Sequence, residues 1–190
     1  MVALKFEVVS TRIVPLKTIL NMVRESKLDG LLTVEGDKGR SKLYFMKGLP
    51  VAHEGSEDLI IGILEGKIDA KASFEPKGED ELYNEIKGLM KTVTTDISLE
   101  FLDRRKLSEM LSKEPGVYIL KVDGHLIITY GATTLYRCVD DTVSEVGNLD
   151  DAFKGIKGRL TIIRGESHVV SKILSLFRRR PPIPSLRLKI

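Results

Sequence analysis

The chain has 190 residues, 42% hydrophobic and 30% charged, with a net charge of +3, the balance of a folded globular protein rather than of a disordered or collagen-like one. No apolar run reaches the roughly 18 residues of a bilayer span, and the start of the chain lacks the blocks of a signal peptide, so a cytoplasmic protein without a membrane span is expected. A single cysteine, Cys138, excludes an internal disulfide framework and a multi-cysteine metal site. There is no Gln and there are three Asn, a bias that points to a thermophile, an archaeon in particular. The charge is unevenly placed: from Glu166 onward six basic residues face one acid, appending a basic tail to a nearly neutral body.

Residues 4 to 9 alternate as a first strand, and Leu16, Ile19, Leu20 and Val23 then fall at helical spacing behind Pro15, with a stop near Lys27. LLTVEG and SKLYFM flank the EGDKGR turn as a hairpin, and VAH follows Gly48 and Pro50. SEDLIIGILE reads as a short helix with Ser56 as N-cap and Glu57 and Asp58 in its first turn; Gly66 ends it, and KIDAKASF closes the set as a strand.

The order DGLLTVEG, KLYFMKGLPVAH, a short helix ending LEG and the strand KIDAKASFEP resembles the PATAN domain family over about residues 11–76. Members of that family show a Gly-Leu strand after an apolar helix, a strand ending aromatic-x-x-Gly, and a helix leading into G-x-F-x-F-x-P. This sequence departs from the pattern in a shorter helix before Gly66 and in having no tryptophan near Glu65. The resemblance implies a protein-interaction module and carries no catalytic residue with it.

Residues 77–92 place Leu82, Ile86, Leu89 and Met90 on one helical face, and 77–113 as a whole reads as a helical linker, within which ISLEF alternates like a strand. VYILKVDGHLIITYG then gives two strands around a turn, TTLYRCV a third, LDDAFKGIKG a short helix ending at Gly158, and RLTIIRG a closing strand. Helix, stop glycine and strand recur about 92 residues after EDLIIGILEGKIDAKASF, which suggests a divergent duplication. In HVVSKILSLF, Val169, Ile173, Leu176 and Phe177 share a helical face that suits a last helix packed on the second sheet. The prolines of PPIPSLRLKI end that helix, leaving apolar residues at alternate positions that suit strand addition to a sheet edge.

No chemistry-bearing motif emerges. His53, His125 and His168 lie in different elements without metal-ligand spacing. EGDKGR and KVDGH read as turns rather than phosphate loops. Of the acidic pairs Glu57-Asp58, Asp140-Asp141 and Asp150-Asp151, two suit helix N-termini.

The expected fold is α+β: two small modules at 1–76 and 114–177, each a three- or four-stranded antiparallel sheet with helices on one face, then a tail at 178–190. The expected function is a non-catalytic protein-interaction, adaptor or assembly module with no cofactor, no metal and no catalytic residue. Its partner is an unidentified protein, or a second copy of the chain. The candidate partner-binding residues are Lys172, Arg178, Arg179, Arg180, Ile183, Leu186 and Leu188. Nucleic-acid or anionic-ligand binding through the basic tail is the alternative, and an enzyme with a site between the modules is a third reading.

Overall fold

The computed structural model describes residues 6–131 and 134–178. Two antiparallel sheets account for the first and second halves of the chain. The first half runs β1 (Phe6–Ser10), α1 (Leu16–Glu25), β2 (Gly30–Gly36), β3 (Gly39–Met46), β4 (Leu49–Gly55), α2 (Glu57–Leu64), β5 (Lys71–Pro76) and α3 (Glu79–Leu89). The second runs β6 (Lys91–Ser98), a 3-10 turn, α4 (Arg104–Lys113), β7 (Val117–Val122), β8 (His125–Tyr130), β9 (Leu135–Val139), β10 (Thr142–Val146), α5 (Leu149–Phe153), β11 (Arg159–Gly165) and α6 (His168–Arg178). Strand order is β1-β5-β2-β3-β4 in one sheet and β6-β11-β7-β8-β9-β10 in the other, so in each half the last strand slips between the first two.

The repeat is written into the strand register. Ser10 faces Lys71 as Ser98 faces Arg159; Leu32 faces Phe74 as Leu120 faces Ile162; both partners move by 88 residues each time. One irregularity matches as well: β1 is bulged between Phe6 and Val9, and β6 between its pairings to Ile162 and Leu160, at Thr94 and Ile97, while β6 shifts a second time between Thr94 and Thr92. The spacing of about 92 holds only between the starts of α2 and α5 (57 to 149), because β10 is an added strand and α2, with the loop after it, is longer than α5 with its loop.

Alternation along the strands sorts side chains into layers. In the first sheet Leu32, Val34, Leu43, Phe45 and Phe74 face α1 and α2, whose buried residues Ile19, Leu20, Leu59 and Ile60 complete one core. In the second sheet Tyr118, Leu120, Ile127, Leu160 and Ile162 pack with Leu107, Leu111, Ala152 and Phe153 of α4 and α5. The opposite faces meet each other: Leu31, Tyr44 and Met46 pack with Ile119, Ile128 and Ile163 in a third core, to which α3 adds Leu82 and Ile86 and α6 adds Val170. The order is helices, sheet, sheet, helices, with Tyr130 donating its hydroxyl to the carbonyl of Pro50 across the inner seam.

Several sequence expectations are corrected. The sheets have five and six strands: β1 falls on the strand read at residues 4 to 9, while the edge strands β6 and β10 carry too few apolar residues to stand out. The 77–113 stretch is helical only at α3 and α4; between them β6 belongs to the second sheet, its polar KTVTTDIS sequence tolerated because an edge strand is half solvated. Asp140 and Asp141 form the β9–β10 turn, Asp140 at φ 53. α5 ends at Phe153 and is stopped by Gly155 (φ 74), the counterpart of Gly66 (φ 74), whereas Gly158 pairs across to the 3-10 turn. Finally, α6 packs on β4 and α2 of the first half, burying Val169, Val170, Ile173 and Leu174. Helical periodicity shows which residues are apolar but not which of two sheets receives them.

Candidate interaction surface

The caps and turns that fix the ends of the outer helices also fix what the molecule presents. Ser56 accepts from Leu59 N at 3.2 Å and Glu57 and Asp58 fill the first turn of α2; Asn148 does the same for α5, accepting from Asp151 N at 2.8 Å ahead of Asp150 and Asp151. Two of the acidic pairs thus serve helix starts. The third is a hairpin turn.

Between each edge strand and its helix the chain turns outward. Thr11 N donates to Ala70 O at 2.9 Å, and Leu99 N donates to Gly158 O at 3.0 Å, the same bond 88 residues on. Two residues beyond each bond stand Ile13, 79% exposed, and Phe101, 84% exposed, the two most exposed large apolar side chains among the described residues. They occupy equivalent positions. Beside the first lies a shallow cleft of about 320 Å³ lined by Thr11, Arg12, Pro15 and Ile63; beside the second, one of about 400 Å³ lined by Leu99, Glu100, Arg104 and Ile156. Ion pairs brace both turns: Arg12 to Asp69 at 2.9 Å in the first half, Arg159 to Asp96 at 2.6 Å in the second.

The bulges in β1 and β6 bear on strand addition at these edges. A bulge breaks the ladder and twists the strand away, which blunts it for strand addition. Exposed Val8 (67%) and Asp96 (φ 58) are the corresponding bulge residues. The apolar tips, rather than the strand edges, are what these two sites offer.

The space between the sheets is filled by apolar side chains, with one cleft of about 250 Å³ at its rim. That cleft is lined by Arg24, Lys27, Lys47, Leu49, Tyr136, Val143 and Glu145. Its cations are engaged: Lys47 lies 3.3 Å from both Asp29 and Glu79, Lys27 donates to Asp141 O at 3.3 Å, and Arg24 donates to Phe177 O at 3.1 Å with its guanidinium 4.8 Å over the Phe177 ring. Cys138 is buried in the shared core, and burial pushes its thiol up to about 12, which keeps it protonated at neutral pH.

Of the sequence-derived candidates, Lys172 sits half-buried on α6 and pairs with Glu65 at 3.4 Å; Glu65, shared with Lys67 at 2.9 Å, is held below the usual carboxylate range by its bonds to Lys67 and Lys172. That pair ties α6 to the end of α2. Arg178 is the last residue of α6. Arg179, Arg180, Ile183, Leu186 and Leu188 lie outside the described residues. The histidines stay apart, in β4, β8 and α6, and no group of three or more His, Cys, Asp or Glu suited to a metal ion occurs among the described residues. No helix among them is long and apolar enough to cross a membrane. Sequence reasoning missed Ile13 and Phe101, because a lone apolar residue in a turn carries no periodicity; aligning the halves at 88 residues would have found them.

No family model, curated protein or solved structure matches the chain.

Proposed function

We propose that this protein acts by binding another protein, as an adaptor or assembly module, through the two equivalent tips at Ile13 and Phe101. The observation that carries the reading is the coincidence of position. A single exposed apolar residue is ordinary, but the two most exposed ones among the described residues fall at the same place in the two halves. Burying either tip against a partner recovers about 1.5–3 kcal/mol of transfer free energy, and two tips on halves that share one core engage a partner that itself presents two sites. The PATAN-type resemblance of residues 11–76 points the same way.

The test compares the full-length protein with Ile13→Asp/Phe101→Asp in pull-downs from native lysate at about 0.15 M and 1 M salt, with and without nuclease. A protein partner retained by the native chain at both salts and reduced at least about tenfold by the double substitution, with the thermal midpoint unchanged, supports the reading. Recovery that the substitutions leave intact overturns it. Recovery that nuclease or salt abolishes moves the function to nucleic-acid binding through Lys172, Arg178, Arg179 and Arg180.

A further inference from the structure

A different observation concerns the edges of the two sheets. Of the four edge strands, β1 and β6 are bulged, and β4 is irregular at Val51, between Pro50 and Ala52, and lies under α6. The fourth, β10, is regular along its whole length: Thr142 to Val146 pair with Val139 to Leu135 without a shift, and no strand lies on its other side. It is also the one strand with no counterpart in the other half. In an antiparallel edge strand, alternate N–H and C=O groups point away from the neighbour and have no ladder partner. An unbulged, uncovered edge is the form that accepts an added strand.

We propose that the C-terminal segment of this same chain, residues 185–190, pairs as a seventh strand on the free edge of β10. Four observations converge on this occupant. α6 ends beside the edge: Arg24, bonded to the Phe177 carbonyl at 3.1 Å, lines the same cleft as Val143 and Glu145 of β10. Six residues, 179–184, separate that end from the pairing segment; they span up to about 20 Å when extended. Serine, leucine, arginine, leucine, lysine and isoleucine at 185–190 alternate with the period of a strand, and the apolar set Leu186, Leu188 and Ile190 meets an apolar floor of Leu49, Tyr136 and Val143. Charge is complementary: the β9–β10 turn and β10 itself, residues 140–146, carry Asp140, Asp141 and Glu145 and no base, while residues 179–190 carry Arg179, Arg180, Arg187 and Lys189 and no acid. Pro181, Pro182 and Pro184 confine pairing to the last six residues, since a proline has no N–H to donate to a ladder. The cleft's own cations do not oppose this, because Lys27 and Lys47 are held by the Asp141 carbonyl and by Asp29 and Glu79.

The experiment is amide hydrogen exchange on the full-length protein, comparing the native chain with Leu186→Ser/Leu188→Ser, together with sedimentation at two concentrations. Pairing predicts protected β10 amides in the native chain, exchange across 142–146 at least about tenfold faster in the variant, unchanged exchange in β1 and β6, and a monomer throughout. Equal β10 exchange in both proteins overturns the proposal. Protection that appears only with dimer formation also overturns it, by transferring the occupant to a second copy. The partner test at Ile13 and Phe101 reads a separate surface, so either result leaves the other standing or falling on its own data.

Discussion

The two halves share strand order, register and even the position of a bulge, yet they solve the same packing problem with different residues. Gly30 and Tyr118 are equivalent, as are Phe74 and Ile162. In the first half the Phe74 ring lies over Gly30, so close that a Cβ there would sit 2.7 Å from the ring and 2.3 Å from the Glu75 carbonyl. In the second half Tyr118 stands in place of the glycine and its diagonal cross-strand neighbour is the smaller Ile162, both buried. Volume is conserved across the pair while its owner changes, as expected where interiors are packed near crystal density. A second contrast lies on β4 and β9. His53 turns toward Ser41, 3.4 Å away, whereas Arg137 at the equivalent position donates to the carbonyls of Asp151 and Lys154 at 3.2 and 2.6 Å, satisfying the C-terminal end of α5. The shared topology thus specifies volumes and orphaned polar groups, and each half meets those demands locally.

The sharpest way to break the comparison is through the inner core, which belongs to both halves. Ile128→Ala, on its inner face, is expected to cost about 2–5 kcal/mol and to shift one denaturation transition, read identically by probes in each half. Two separate transitions would show the halves to be independent. Next, Gly30→Ala is expected to destabilise by about 1–3 kcal/mol, and Phe74→Ile added to it to recover part of that loss in a double-mutant cycle; strict additivity would deny the exchange of volume seen against Tyr118 and Ile162. Smaller, Ser56→Ala and Asn148→Ala are each expected to cost about 1 kcal/mol by urea denaturation, equally in the two halves because both caps accept one backbone N–H.

The smallest effect separates the halves by pH. Burial first of all, partly opposed by Glu57, the Ser56 backbone and Glu54, lowers the His53 pKa from its ordinary 6.5. A depressed histidine favours the neutral form in the folded state, so its stability contribution is full above about 6.5 and declines as pH falls, until the folded form is protonated too. His53→Asn is expected to flatten that decline between about pH 7 and 5.5, measured as the difference in denaturation midpoint from the native chain. Arg137→Ala, which removes the bonds to the Asp151 and Lys154 carbonyls, is expected to lower stability by the same amount across the range. A pH slope retained by the His53 variant would place its origin elsewhere.

Much of the fold was legible. Period-3.6 spacing located α1 with its four buried residues, Ser56 and the acids after it located the start of α2, and Asp123-Gly124 located the β7–β8 hairpin. The proposed interaction surface was not legible. Ile13 and Phe101 stand alone in turns, and their equivalence appears only when strand register fixes the spacing at 88 residues. The α5 stop was misplaced because two glycines, Gly155 and Gly158, both have positive φ and only the hydrogen bonds distinguish a helix end from a strand lead.

By itself the sequence determined the α+β class, the recurrence of a helix and strand in the second half, and the absence of any linear motif for metal or phosphate chemistry, because periodicity, capping and ligand spacing are local and leave their mark within a few residues. Tertiary structure decided that the sheets lie face to face over one shared core, that α6 crosses to the first half, and that β10 alone keeps a regular open edge. Those are choices among surfaces of equal hydrophobicity. Residues far apart in the chain settle them by fitting volume and pairing backbone groups, and no window of sequence contains that fit.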